Sequence, residues 1–111
     1  MAHQTPAMLE YFSKVANGKV VVEFFDPECG HCKRIKPIFD KLSEDYKGQV
    51  TFVTYDITKH PEVAITMHLD GVPTFIFYLN GQALDILSGQ DEGHLKSKTA
   101  ALASGGNVAN S

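Results

Sequence analysis

The chain has 111 residues, of which 43% are hydrophobic and 21% charged, and its 10 basic and 13 acidic residues give a net charge of −3. This composition is typical of one soluble domain, and without a basic cluster beyond Lys33-Arg34-Lys36 it disfavours nucleic-acid binding. No apolar run approaches the roughly 20 residues of a membrane span, and the start lacks the basic and apolar segments of a signal peptide. We therefore expect a cytosolic protein without a membrane partner, unless processing removed a targeting segment, and we expect a monomer.

The first 26 residues predict a helix followed by a buried strand. Residues Ala2 to Gln4 can form a short edge strand. Thr5 can cap a helix with Pro6 at its first position. Four apolar residues then repeat at helical spacing, namely Met8, Leu9, Phe12 and Val15. Lys19 to Asp26 is predicted to be a strand. Between these two charged ends the chain is apolar except for Glu23, as expected of a central strand that is covered on both faces.

The only two cysteines, Cys29 and Cys32, follow this strand directly. Apolar residues at spacings of three and four come next and predict a helix, namely Ile35, Ile38, Phe39, Leu42 and Tyr46. The first turn of a helix has unpaired N–H groups and the positive end of the helix dipole, which both stabilise an anion. We therefore predict that Cys29 is a thiolate nucleophile. Cys32, one turn later and more buried, is predicted to resolve a mixed disulfide formed on Cys29.

The middle of the chain predicts a strand from Val50 to Asp56 and a short helix from Thr58, its cap, to about Leu69. His60 and His68 flank or lie in this helix and are the candidate metal ligands. A zinc site needs four ligands, and the chain has one cysteine pair only. We therefore predict neither a metal site nor a bound cofactor.

The last third predicts two strands and a helix. Asn80-Gly81 is a hairpin signal between a strand that ends at Leu79 and one that starts at Ala83. Asp91 can cap a final helix that runs to Ala103. The segment 104–111, rich in glycine, asparagine and serine, is predicted to be a disordered tail. One domain is therefore expected over residues 1–103.

These motifs together resemble the thioredoxin family over about residues 8 to 103. The matching segments stand in the family's order: Val21-Val22-Glu23-Phe24-Phe25, Cys29-Gly30-His31-Cys32-Lys33, Pro37, Val72-Pro73-Thr74 and Asn80-Gly81. The resemblance implies an α/β thioredoxin fold with a mixed central sheet of four to five strands flanked by about four helices. The Cys-Gly-His-Cys form is similar to the active site of protein disulfide isomerase domains, because thioredoxins usually carry proline at the position of His31.

The resemblance also implies roles for residues around the cysteines. Glu23 matches the family's buried acid, whose pKa burial raises and which exchanges a proton with Cys32. An ordinary strand-edge acid that points to solvent is the alternative. His31, between Gly30 and Cys32, is expected to stabilise the Cys29 thiolate and make the disulfide more oxidising; an inert exposed side chain is the alternative. We expect a reduction potential between about −270 mV for thioredoxin and about −180 mV for the isomerase.

The segment Val72-Pro73-Thr74 is implied to bind substrate. A cis peptide bond at Pro73 would leave the Val72 backbone free to pair with an extended substrate chain. The implied function is a protein disulfide reductase that acts on protein disulfides and is recycled by a thioredoxin reductase-like enzyme. A disulfide oxidase or isomerase is the nearer alternative, and a non-enzymatic binding module is the farther one.

Two features depart from the thioredoxin pattern. The segment before the cysteines reads Asp26-Pro27-Glu28, where thioredoxins usually have tryptophan at the position of Glu28. These two acids oppose a thiolate at Cys29 and favour basic partners, unless they are merely solvated. The lysine that often faces the buried acid is replaced by Thr54. Its absence is expected to make Glu23 easier to protonate.

Overall fold

The computed structural model describes residues 5–111, and the edge strand expected at Ala2 to Gln4 lies outside them. Four helices and four strands follow one another in these residues: α1 (Pro6–Val15), β1 (Lys19–Phe25), α2 (Gly30–Asp45), β2 (Thr51–Asp56), α3 (Pro61–Thr66), β3 (Thr74–Leu79), β4 (Gln82–Ser88) and α4 (Glu92–Ser104). The sheet has the order β2-β1-β3-β4, in which β1 and β2 are parallel and the other two pairs antiparallel. This mixed sheet with helices on both faces confirms the predicted fold class.

Alternation along β1 divides the core into two layers. Val20, Val22 and Phe24 pack on one face of the sheet with α1 and α3. Val21 packs on the opposite face with α2 and α4. Because successive side chains of a strand point to opposite faces, Glu23 belongs to the face that α2 covers. The strand that carries the predicted acid therefore directs it beneath the helix that carries the cysteines.

Local signals set several element boundaries as predicted. Thr5 caps α1 by accepting a hydrogen bond from the Met8 N–H at 3.2 Å. Asn80 and Gly81 have positive φ values of 50° and 86°, as a tight hairpin requires. The predicted cap at Thr58 is wrong, because its hydroxyl donates to Asp56 instead and α3 is a shorter helix that begins at Pro61. The Asp56 side chain thus accepts hydrogen bonds from Thr58 in the turn after β2, and α3 begins beyond this turn.

The predicted disorder of residues 104–111 is contradicted by the structure. Gly105, with φ of 78°, ends α4 in a left-handed conformation and turns the chain back. Val108 then packs into the core, 2% exposed. The ammonium of the buried Lys98 donates to the Val108 carbonyl at 3.2 Å and pairs with Asp85 at 2.6 Å. Composition alone missed this tail because one apolar anchor and one buried cation hold it.

We expect Val108→Ala to lower the free energy of unfolding by about 2 kcal/mol, because it leaves a cavity in a packed core. Urea unfolding measures this loss. The matched control is Ile65→Ala, which truncates a side chain that is 74% exposed and is expected to change stability by less than about 0.5 kcal/mol. Equal stabilities of Val108→Ala and the parent protein would mean that the tail does not pack.

Candidate active site

The cysteine pair lies where β1 passes into α2. Cys29 is the N-cap residue of α2, and its Sγ accepts a hydrogen bond from the Cys32 N–H at 3.2 Å. A sulfur in this position satisfies one of the unpaired donors of the first turn. Negative charge on Cys29 is therefore stabilised by both this bond and the helix dipole.

The two thiols differ in exposure, as expected. Cys29 is partly exposed, whereas Cys32 is 4% exposed. Burial raises the pKa of the Cys32 thiol well above its ordinary value, and the adjacent Cys29 sulfur adds to this effect. Cys32 is therefore protonated at neutral pH and has to lose a proton before it can attack a disulfide.

Glu23 lies in the interior, 4% exposed, so the alternative of a solvent-facing acid is wrong. Its neighbours in register are Thr54 on β2 and Phe75 on β3, and neither is charged. Burial raises the pKa of the Glu23 carboxyl from 4.5 to about 7, and the positive charge of Lys36 partly opposes this rise. The carboxyl therefore gains and loses protons near neutral pH.

A cavity of about 260 Å³ connects Glu23 with the buried thiol. Strand β1, the following loop, helix α2 and strand β2 all contribute to its wall, through Glu23, Phe25, Asp26, Pro27, Cys32, Lys33, Lys36 and Thr54. A cavity of this size can hold water where polar side chains such as Glu23 and Thr54 line it. A proton can therefore pass between the Cys32 thiol and the Glu23 carboxyl through one or more water molecules.

The loop before β3 borders the exposed side of Cys29. The Val72–Pro73 peptide bond is cis, and the Cys29 thiol donates to the Val72 carbonyl at 3.8 Å. Thr74 fixes the loop by donating its hydroxyl to the Gly71 carbonyl at 2.6 Å. An open groove of about 230 Å³ runs beside these residues, lined by Asp70, Gly71, Val72, Pro73, Thr74, Ser88 and Gly89. The predicted substrate residues are thus next to the predicted nucleophile.

Comparison with known proteins places this arrangement in one family. The family model described as Thioredoxin matches residues 3–101. A thioredoxin of Malassezia sympodialis is 33% identical over 96 residues, which cover 84% of this chain and 91% of the relative. Thioredoxin-3 of Dictyostelium discoideum is 43% identical over 79 residues, or 71% of this chain and 75% of the relative.

The chain belongs to the thioredoxin family. Solved structures agree: mitochondrial thioredoxin 3 of Saccharomyces cerevisiae superposes with a TM-score of 0.79 at 28% identity, covering 84% of this chain and 88% of that one. The oxidised thioredoxin of Plasmodium falciparum superposes with a TM-score of 0.77 at 33% identity, covering 86% of this chain and 91% of that chain. This thioredoxin-family protein is a thiol–disulfide oxidoreductase. Thioredoxin-family proteins act on protein disulfides and are recycled by reductases.

The exposed rim of this site carries acidic residues and a histidine. Asp26 accepts a hydrogen bond from the Glu28 N–H at 2.8 Å, which fixes the loop before Cys29. Glu28 and His31 are both exposed, as is Asp70 across the groove. Water and salt screen these charges. The expected role of His31 in the redox potential therefore remains a prediction.

Two residues of α2 near the site escaped sequence analysis. Lys36 lines the cavity, and its Nζ donates to Asp40 Oδ2 at 3.1 Å. The available signal was their spacing, because Cys32, Lys36 and Asp40 follow one another at intervals of four residues and share one side of the helix.

His60 and His68 do not come together with other ligands: residues 5–111 contain no group of three or more His, Cys, Asp or Glu side chains placed to bind a metal ion. No helix in this part of the chain is long and apolar enough to cross a membrane.

Proposed function

We propose that this chain is a protein disulfide reductase in which Cys29 attacks, Cys32 resolves and Glu23 carries the proton. The supporting observation is the asymmetry of the pair: a partly exposed sulfur at a helix N-cap, and a buried thiol that shares a cavity with a carboxyl whose pKa is about 7. Each thiol thus has the environment that its step requires.

In the first step the Cys29 thiolate attacks one sulfur of a substrate disulfide. A Cys29–substrate disulfide forms, and the other substrate sulfur leaves as a thiolate and takes a proton. In the second step the ionised Glu23 accepts the Cys32 proton, and the Cys32 sulfur attacks Cys29. The intramolecular disulfide forms, the second substrate sulfur is released and protonated, and two electrons have passed to the substrate.

The substrate chain is proposed to lie in the groove beside Val72, Pro73 and Thr74. The Val72 carbonyl is 3.8 Å from Cys29 Sγ, so an extended segment that pairs with this backbone brings its own sulfur close to the nucleophile. Gly30, at the start of α2, leaves open space where a side chain would stand. A cytosolic reductase that draws on NADPH is proposed to regenerate the dithiol.

The isomerase or oxidase direction is supported by the exposed His31 between the cysteines and by the identity of the buried acid, which is glutamate at position 23 as in the isomerase. A cation at His31 favours the Cys29 thiolate and therefore the reduced form of this protein. The binding-module alternative has weaker support, since docking requires neither thiol. Binding of a substrate protein that survives Cys29→Ser without any mixed disulfide would favour the module.

We expect Glu23→Gln to slow the resolving step by at least about tenfold near pH 7, because it removes the proton acceptor of Cys32. The initial attack by Cys29 is expected to keep its rate. Stopped-flow kinetics with a protein disulfide substrate separate the two steps. Glu44→Gln, an exposed change on α2, is the control. Unchanged rates of both steps in Glu23→Gln would reject the proton-carrying role.

A further inference from the structure

We propose that Lys36 and Asp40 form a charge pair on α2 that sets how readily Glu23 gives up and takes its proton. Both are positioning residues, because they act through Glu23 and not on the substrate. The proposal rests on the proposed function of Glu23 and adds a control element to it.

The geometry comes from one row of the helix. Cys32, Lys36 and Asp40 follow at intervals of four residues, so they lie one above another on the same side of α2. Cys32 is buried and Lys36 lines the cavity that also contains Glu23. At the outer end of the row, Lys36 Nζ is 3.1 Å from Asp40 Oδ2. The row thus connects the buried thiol and acid with an ion pair at the surface.

The charge of the Lys36 ammonium acts on two carboxyl groups, an exposed one on Asp40 and a buried one on Glu23. The Lys36 and Asp40 side chains are 68% and 56% exposed, and an ion pair in water is weak and rearranges easily. Glu23 is buried, where a charge interacts more strongly. When Glu23 ionises, its negative charge attracts Lys36 toward the cavity and competes with Asp40. The Lys36 charge lowers the pKa of Glu23 and the Asp40 charge raises it.

The other groups around Glu23 do not provide this control. Its partners on the adjacent strands, Thr54 and Phe75, are uncharged. Two further charged residues, Asp26 and Lys33, line the cavity with Lys36. The charges that shift the pKa of the Glu23 carboxyl are those of Lys36, which lowers it, and Asp40, which raises it. Because position 54 carries threonine, the compensating cation of this site comes from the helix and not from the sheet.

The test compares Lys36→Met and Asp40→Asn by titrating the Glu23 carboxyl carbon with ¹³C NMR in the reduced protein. We expect Lys36→Met to raise the pKa of Glu23 and Asp40→Asn to lower it, each by about half a unit. The pH profile of the resolving step is expected to shift in the same direction as the titration. A merely structural role would not give shifts of opposite sign.

A second ion pair on the same helix provides matched controls. Lys41 and Asp45 have the same i, i+4 spacing, a 3.4 Å separation and similar exposure. Lys41→Met and Asp45→Asn are expected to leave the Glu23 titration within about 0.1 unit of the parent, because their charges do not act on Glu23.

The outcomes separate this inference from the proposed function. Suppose that Glu23→Gln removes the pH dependence of resolution, but that the Glu23 carboxyl titrates in Lys36→Met and Asp40→Asn as it does in the control variants. The inference is then overturned and the proposed function stands. Shifts of the same sign in both variants also overturn it. If Glu23→Gln leaves the pH dependence of resolution intact, the proton-carrying function fails and this inference falls with it.

Discussion

Replacing Cys29 with serine is expected to reduce the turnover of protein disulfides on the order of 10³-fold or more, because the chain then lacks its nucleophile. Cys32→Ser is expected to stop turnover as well, for a different reason. Its Cys29 still attacks, but no thiol releases the adduct. A stable mixed disulfide between Cys29 and the substrate therefore accumulates.

The two variants control for each other, since each keeps one thiol and changes a single sulfur to oxygen. Mass spectrometry of the reaction with a disulfide-containing protein identifies the adduct and its site. The asymmetry of the site predicts an adduct with Cys32→Ser only, because Cys32 is 4% exposed and its thiol pKa is raised. An adduct that accumulates on Cys32 in the Cys29→Ser variant would reverse the assignment.

Ionisation of Glu23 is expected to destabilise the fold as the pH rises. Its pKa is about 7 in the folded protein against an ordinary 4.5, so the folded state binds more protons between these values. Stability that is fully present below about pH 4.5 is therefore lost as the pH rises through 7. At about 1.4 kcal/mol per pKa unit, the rise from 4.5 to about 7 corresponds to about 3.5 kcal/mol. We expect about 2–3 kcal/mol of this, because the neighbouring cavity offers some hydration.

Glu23→Gln removes this dependence. Urea unfolding at pH 5 and pH 8 is expected to show the parent protein losing about 2–3 kcal/mol relative to the variant over this interval. Other titrating groups, the histidines included, are common to both proteins and cancel in the difference. Glu44→Gln controls for the loss of one surface charge. If the free energies of unfolding of the parent and of Glu23→Gln change in parallel with pH, Glu23 has the same pKa in the folded and the unfolded chain.

Much of the site could be predicted because its main residues follow from local rules. The strand pattern isolates Glu23 as the one charge in an apolar run, and alternation places it under α2. The position of the cysteines between strand and helix makes Cys29 an N-cap. The cis bond at Pro73 could not come from local rules, since most X-Pro bonds are trans, and the resemblance supplied it as an expectation.

What sequence missed depends on contacts between distant segments. Lys36 is one of three basic residues among the four that follow Cys32. Lys33 and Lys36 both line the cavity that contains Glu23, and the sequence does not show that they reach it. The ordered tail depends on Lys98, which bridges Asp85 and the Val108 carbonyl across elements that are far apart in sequence. Composition and periodicity contain no information about such pairs.

The reduction potential of the Cys29–Cys32 pair, measured by equilibration with glutathione buffers at pH 7, tests the proposed reductase most directly. We predict a value between those of thioredoxin and the isomerase and nearer to about −270 mV than to about −180 mV. In that case the acids before Cys29 offset His31, and the dithiol donates electrons to protein disulfides in a reducing compartment. A value at or above about −180 mV would contradict the reductive direction and favour an oxidant or isomerase.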